Sequence, residues 1–197
     1  MDPKDPIGIR TAGVAERDAA LATILLAFAT DPVARFAAPS PADYLATMNA
    51  FAGVMGDAAL ARGAVFVAPD FAGVAYWHAP GAEPDEETLG AGIAASVPAD
   101  RQEELMGLFE AMASHHPDAP HWYLPQIGVD PSAQGRGVGA ALMKHALAHI
   151  DAEGLPAYLE SSNPRNISLY ERFGFEAIGE IRVGRVPLVT PMLRPAR

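Results

Sequence analysis

The sequence predicts an α/β (α+β) fold in which helices flank one central sheet of about six or seven strands. Apolar residues repeat at helical spacing in several segments, and short runs rich in Val, Phe, Tyr and Trp lie between them. A glycine-rich loop at residues 134–139 joins an apolar strand to a helix. Because half of the 197 residues are apolar, the chain can bury one core, and we expect a single domain over residues 1–197.

Composition excludes several classes of function. The chain has no cysteine, which rules out disulfides, thiolate zinc sites and a thiol nucleophile. A net charge of −10 argues against nucleic acid as a partner and suits a cationic small molecule. The amino terminus lacks an apolar signal core, and no run of about 18 apolar residues occurs. We therefore expect a cytoplasmic protein that binds no membrane.

The first part of the chain reads as a strand followed by two helices. The strand covers residues 7–10, and the first helix covers residues 15–29. Asp31-Pro32 ends this helix, because the residue before a proline is pushed out of the helical region. A second helix starts near Pro41 with Ser40 as its cap.

The remaining elements follow in order. A hairpin covers residues 64–68 and 71–78, residues 80–100 form a surface excursion with at most one short helix, and a helix covers residues 100–114. The next strand, residues 121–129, contains Pro125, which cannot donate to a ladder and so marks a bulge or an unpaired position. A helix after Gly139, a strand at 157–160, a helix ended by Gly174, and strands at 176–183 and 186–192 complete the sheet.

The glycine loop carries the first functional signal. Glycines leave successive backbone N–H groups unshielded, and the following helix adds the positive end of its dipole, so the loop can hold a pyrophosphate. Gly135-x-Gly137-x-x-Ala140 also fits a dinucleotide fingerprint, with Glu160 near the position of a ribose-binding acid. Residues 130–134 separate the strand from the first glycine, however, and few residues remain for further strand–helix units. Both facts favour acyl-coenzyme A.

Two motifs resemble one known family. The spacing Gln134-x-x-Gly137-x-Gly139 is similar to the Q/R-x-x-G-x-G/A signature of the GCN5-related N-acetyltransferase (GNAT) superfamily. A second motif, N-x-x-(A/N)-x-x-L-Y-x-x-x-G-F, is matched at every fixed position: Asn163, Asn166, Leu169, Tyr170, Gly174 and Phe175. The segment over residues 121–176 also resembles the puromycin N-acetyltransferase type, whereas the similarity before it is only suggestive.

The resemblance implies a GNAT fold and acetyl-CoA (coenzyme A) as cofactor. The sheet should be mixed and mostly antiparallel, with a splayed strand pair that binds the cofactor. Residues 121–176 would form the cofactor-binding core, and residues 7–120 the acceptor side. The expected cofactor contacts are Ile127, Gly128, Val129, Gln134, Gly135, Arg136, Gly137, Val138, Gly139, Ala140, Asn163, Asn166 and Tyr170.

The resemblance also suggests catalytic and substrate residues. Tyr170 would protonate the leaving thiolate, and Glu160 would accept a proton or anchor a substrate ammonium, with a purely structural role as the alternative. His145 and His149 are one turn apart but lack a third ligand, so we expect no metal. The candidate substrate contacts are Asp31, Phe36, Trp77, His78 and His121, and the two histidines among them are also candidate bases.

Three functions remain open at this point. The first is direct transfer of acetyl to an amine of a small molecule. The second is transfer to a hydroxyl or to a protein N-terminus. The third is a non-catalytic acyl-coenzyme A sensor, which would not need the thiol acid predicted at Tyr170. The protein would act as a monomer or a homodimer.

Overall fold

The computed structural model describes residues 7–197. Seven strands form one sheet in the order β1-β2-β3-β4-β5-β7-β6, and β4 with β5 is the parallel pair. The other neighbouring pairs are antiparallel, which confirms the predicted fold class. The strands are β1 (Arg10–Thr11), β2 (Val65–Val67), β3 (Gly73–His78), β4 (Trp122–Val129), β5 (Ala157–Ser161), β6 (Glu176–Ala177) and β7 (Thr190–Arg194). The helices are α1 (Arg17–Ala27), α2 (Pro32–Ala37), α3 (Pro41–Leu60), α4 (Glu86–Ser96), α5 (Ala99–His115), α6 (Val138–Glu153) and α7 (Ile167–Arg172).

The sheet separates two hydrophobic clusters. On one face, Ala75 and Trp77 of β3 pack with buried side chains of α6 such as Leu142. On the other face, Val74 and Tyr76 pack against α1 and α3. This alternation is the two-residue period of a strand that is buried on both faces. Within residues 7–197, no helix combines the length and the hydropathy that crossing a bilayer requires.

The first helices differ from the prediction at their ends. Residues 7–10 were predicted as a strand, but pairing with β2 covers only Arg10–Thr11. Helix α1 ends at Ala27, and a further short helix, α2, begins at Pro32. Asp31 caps α2 because its side chain accepts hydrogen bonds from the backbone N–H groups of Val33 and Ala34. Asp31-Pro32 therefore both stops one helix and starts the next.

A bulge interrupts the pairing of β3 with β4, as Pro125 predicted. Gln126 pairs with Tyr76, but Tyr123 pairs with His78, so β4 contains one extra residue across this step. Pro125 tolerates the irregularity because it has no N–H to leave unpaired. The extra residue reverses the alternation of β4: Leu124 packs on the α6 side, whereas Gly128 lies against α1. Leu124 and Gln126, on either side of Pro125, thus face opposite layers.

The carboxyl-terminal prediction was partly wrong. In place of two strands over 176–183 and 186–192, the structure has the two-residue β6, an isolated bridge between Ile181 and Val189, and β7. Residues 178–189 pack over α5 instead, where Ile181 and Val189 are buried with Leu108. Burying apolar side chains against the helix determines the path of this segment more than its propensity for strand.

Candidate active site

A cleft opens in the sheet where β4 and β5 diverge. The two strands pair only through residues 122–124 and 157–159, although both continue beyond that point. We call the resulting space the strand cleft. It lies between Pro125, Ile127 and Val129 on one side and residues 159–163 on the other. This is the splayed strand pair that the sequence predicted.

The glycine loop closes one end of the strand cleft. Gly135 and Gly137 have φ angles of 75° and 82°, which favour glycine, and α6 begins directly after Gly137. Gln134 and Gly139 line the cleft, and the Gln134 amide donates to the Val129 carbonyl at 3.2 Å. The other predicted cofactor contacts of this loop and of the start of α6 differ in solvent exposure. Gly135, Arg136 and Gly137 are exposed, Ala140 is half-buried, and the Val138 side chain is buried, so Val138 could offer only its backbone.

The second sequence motif forms the opposite wall. Asn163, Asn166 and Tyr170 all line the strand cleft. The Asn163 side chain accepts a hydrogen bond from the Arg165 N–H at 3.1 Å, which fixes the turn before α7. Tyr170 is only 5% exposed, and burial, with a smaller contribution from the charge of Asp31, raises its pKa. The phenol therefore keeps its proton at neutral pH.

A second space, which we call the helix cavity, lies on the α1 and α3 side of the sheet. Its cavity volume is about 110 Å³. Its wall is mostly apolar, and Phe51 and Phe109 stack in it with ring planes 7° apart. Polar side chains interrupt the wall at Thr47, Gln126 and Glu160. An apolar ligand with a few polar groups would suit this lining.

The strand cleft and the helix cavity meet. The residues that line both are Phe28, Asp31, Pro125, Glu160 and Ser162. Asp31 is 7% exposed, and its Oδ2 accepts a hydrogen bond of 2.6 Å from the Ser162 hydroxyl. Since its Oδ1 caps α2, Asp31 ties that helix to the end of β5 across the junction. Two ligands bound in the two spaces would touch at this junction.

A chain of side chains leads away from Glu160. The Glu160 side chain is 2% exposed, and its Oε1 lies 3.3 Å from Nε2 of His116. This distance suits an ion pair but does not make a hydrogen bond, since Oε1 has no hydrogen-bond partner within residues 7–197. His116 Nδ1 lies 3.2 Å from His121 Nε2, and His121 Nδ1 lies 2.9 Å from the Ala119 carbonyl oxygen.

The far end of this chain reaches a third space, the outer cleft. It is formed mainly by residues 78–84 and 116–121, and both His116 and His121 line it. Tyr123 lines the outer cleft and the helix cavity alike. Burial and the neighbouring Glu160 carboxylate raise the pKa of Tyr123 well above its ordinary value, so its phenol is neutral. The histidines therefore connect the buried acid to an open surface.

Two of the predicted substrate contacts lie elsewhere. Trp77 is fully buried against α6, on the opposite face of the sheet from the helix cavity, so its predicted substrate role is wrong. Phe36 is packed beneath the Arg101 guanidinium, 5.1 Å from its ring centre, and does not line the helix cavity. His78 and His121 line only the outer cleft. Burial lowers the pKa of His78, whose Nε2 lies 2.9 Å from the Met55 carbonyl oxygen.

The sequence interpretation missed three residues that the structure brings to the helix cavity or beside it. Gln126 and Thr47 line the cavity, and His116 contacts Glu160. His116 lies two residues beyond the predicted helix over residues 100–114, a position with no functional signal in the sequence. Gln126 lies beside the predicted bulge, which was the one available signal, but a bulge does not reveal to which side the next side chain turns.

Comparisons with known proteins identify the family. The sequence profile described as the acetyltransferase (GNAT) family matches residues 63–175. The chain belongs to this family. Curated GNAT relatives include an uncharacterized N-acetyltransferase of Schizosaccharomyces pombe, 32% identical over 126 residues that cover 58% of this chain and 51% of the relative. A mycothiol acetyltransferase of Streptomyces avermitilis is 38% identical over 80 residues, 39% of this chain and 25% of that protein. The chain thus spans about half the length of the first relative and a quarter of the second.

Solved GNAT structures agree with the fold over nearly the whole chain. A structure described as histone acetyltransferase HPA2 and related acetyltransferase, from Corynebacterium glutamicum, has a TM-score of 0.66 and 26% identity and covers 96% of both chains. A polyamine N-acetyltransferase of Drosophila melanogaster has a TM-score of 0.67 at 16% identity, covering 94% of this chain and 98% of that one. This second likeness concerns the fold alone. The similarity to the puromycin type stays a prediction.

Proposed function

We propose that this GNAT enzyme transfers the acetyl group of acetyl-CoA directly to an amine of a small molecule. The observation that carries the proposal is the junction of the two spaces. The strand cleft has the glycine loop and Tyr170, the wall of the helix cavity is mostly apolar, and Glu160 lines both. An acyl donor and an amine could therefore meet beside one acid and one base without a covalent enzyme intermediate.

The residues of the strand cleft fit coenzyme A. The loop at Gly135 and Gly137 and the start of α6 present backbone N–H groups to a pyrophosphate. The edge of β4 beyond Leu124 is not paired with β5, so its backbone can pair with an extended pantetheine arm. Arg165 adds a positive charge to the cleft wall of a chain whose net charge is −10. When bound, acetyl-CoA supplies an activated thioester.

Glu160 is the proposed base for the amine. Because His121 Nδ1 donates to the Ala119 carbonyl, its Nε2 is the acceptor and His116 Nδ1 must be the donor between them. His116 Nε2 then faces Glu160 Oε1 across 3.3 Å, so that a proton taken up by Glu160 can pass to this nitrogen. When Glu160 takes a proton from the amine, His116 can pass one to His121, which releases it into the outer cleft.

Tyr170 is the proposed acid. It lines the strand cleft, and its raised pKa keeps the phenol proton in place until the departing sulfur takes it. The nearby Asp31 opposes ionisation of the phenol in the resting enzyme. Tyr170 lines only the strand cleft, whereas Glu160 lines both spaces, so the proton released by the amine and the proton given to the thiol need not be the same.

Thiol release from acetyl-CoA measures the proposed reaction directly. The acceptor panel should contain small amines, matched alcohols and peptides with free N-termini. We expect an amine to be turned over, and Tyr170→Phe to lower kcat by about 10²- to 10⁴-fold with little change in the Kd for coenzyme A. Tyr76→Phe is the matched control, because it removes a buried phenol that lines none of the three spaces. Preference for an alcohol or a peptide, or full activity of Tyr170→Phe, would contradict the proposal.

A further inference from the structure

Buried polar atoms without partners are concentrated at the helix cavity. Within residues 7–197, the buried side-chain atoms that lack a hydrogen-bond partner include Thr47 Oγ1, Gln126 Oε1, Gln126 Nε2 and Glu160 Oε1. All four belong to side chains that line the helix cavity. A polar atom that is removed from water and left unpaired is unfavourable, so such atoms are expected to meet a partner when the site is filled.

Gln126 faces the cavity because of the bulge at Pro125. Without the extra residue in β4, Gln126 would share a face with Trp122 and Leu124, which are buried on the α6 side. The bulge turns its amide instead toward the α1 and α3 side, where it is 2% exposed. A primary amide offers two N–H donors and one carbonyl acceptor, and here all of them remain unused.

The rest of the wall restricts the body of the ligand. Phe28, Phe51 and Phe109 contribute rings, and Met48 and Met112 contribute adaptable thioethers. Glu160 and Asp31 are the carboxylates of the lining, and both oxygens of Asp31 already accept hydrogen bonds. A second ammonium group in this cavity would have no free carboxylate to pair with, which argues against a flexible polyamine.

We infer that the acceptor is an amine on an apolar, ring-bearing body that also carries a group able to donate and to accept hydrogen bonds, such as a carboxamide. This inference rests on the proposed function. The amine meets Glu160 at the junction, the ring lies against the phenylalanine and methionine wall, and the second polar group pairs with the Gln126 amide in the cavity that Thr47 also lines.

Matched phenethylamines test this assignment. The set carries a carboxamide at the ortho, meta or para position, and each member has an isopropyl counterpart of similar shape. Binding is measured by calorimetry with the protein saturated with coenzyme A, and kcat/KM by thiol release. We expect at least one carboxamide to exceed its isopropyl counterpart by about tenfold or more in both measurements, because the counterpart leaves the Gln126 amide unpaired. Spermidine should bind less tightly than that carboxamide.

Variants test whether Gln126 is responsible for the preference for the carboxamide. Gln126→Leu should abolish or reverse the preference for the carboxamide, and Gln126→Met serves the same purpose should the leucine variant fold poorly. Gln102→Leu is the control, because the Gln102 amide donates to the Val97 carbonyl and lies outside the cavity, so the preference should persist. Equal affinities within each pair, or a preference unchanged in both Gln126 variants, would overturn the inference, as would tighter binding of spermidine.

Binding and turnover separate this inference from the proposed function. Selective binding of the carboxamide that depends on Gln126, without thiol release, would support the site and contradict the acetyltransferase reaction. Turnover of the isopropyl amines at the same rate as the carboxamides would support the reaction and contradict the role of Gln126.

Discussion

Replacing Asp31 by alanine should destabilise the fold through three lost hydrogen bonds. Its Oδ1 accepts from the N–H groups of Val33 and Ala34 at 3.0 Å each, and its Oδ2 accepts from the Ser162 hydroxyl at 2.6 Å. Loss of a helix cap costs about 1 kcal/mol, and loss of a hydrogen bond to a buried charged group costs about 1.5–3 kcal/mol. We therefore expect the free energy of unfolding of Asp31→Ala to fall by roughly 2–4 kcal/mol.

Urea denaturation followed by circular dichroism measures this change, with Asp31→Asn and Ser162→Ala as companions. Asparagine keeps an acceptor for the α2 cap, and its N–H can donate to the Ser162 oxygen, so its loss should be about 1 kcal/mol or less. Ser162→Ala should cost an intermediate amount, because the cap remains. An alanine variant within about 0.5 kcal/mol of the parent protein, or an asparagine variant as unstable as alanine, would refute the reasoning.

Three further predictions concern the loop and the histidines. Gly137→Ala should lower stability by about 1 kcal/mol and weaken coenzyme A binding, because φ is 82° there. Gly139→Ala should keep its stability, since an added Cβ would meet Leu169 and Val129 at an ordinary 3.6 Å; urea denaturation compares the two. His116→Gln should reduce kcat about tenfold or more with partial rescue by imidazole, whereas an equal loss in His115→Gln would exclude a specific relay. Burial lowers the pKa of His78 in the folded chain. At a pH below the ordinary histidine pKa of 6.5, the unfolded chain therefore binds a proton at this residue that the folded chain does not. Stability should therefore fall from pH 7 to pH 5, and less steeply in His78→Gln.

The parts of the site that the sequence predicted are contiguous in the chain. The glycine loop and the start of α6 form one stretch, and Asn163, Asn166 and Tyr170 form another along a single turn and helix. In such stretches the spacing of residues already determines which side chains share a wall, because local backbone geometry fixes their relative positions. The splayed strands followed from the resemblance and from Pro125, whose missing N–H is itself visible in the sequence.

The helix cavity could not be predicted in the same way, because six separate elements assemble it. Its wall combines side chains of α2, α3, α4, α5, β4 and β5, and their approach depends on how the helices pack on the sheet. His116 lies two residues beyond the predicted helix over residues 100–114, and nothing local indicated that its ring would reach Glu160 on β5. The prediction for Trp77 depended on which face of the sheet its side chain occupies. A residue near a strand end can face either side, and the Trp77 ring packs against α6.

The bulge at Pro125 connects the proposed donor site with the proposed acceptor site. On one edge of β4 it coincides with the end of pairing to β5, which opens the strand cleft. On the face of β4 it turns Gln126 into the helix cavity, so that one proline shapes both sites. The strand cleft depends on local motifs, so family membership predicts it more securely than it predicts the acceptor. The proposed acceptor site depends on where α2, α3 and α5 lie. A relative with the same loop and Tyr170 but another residue at the position of Gln126 should accept a different amine.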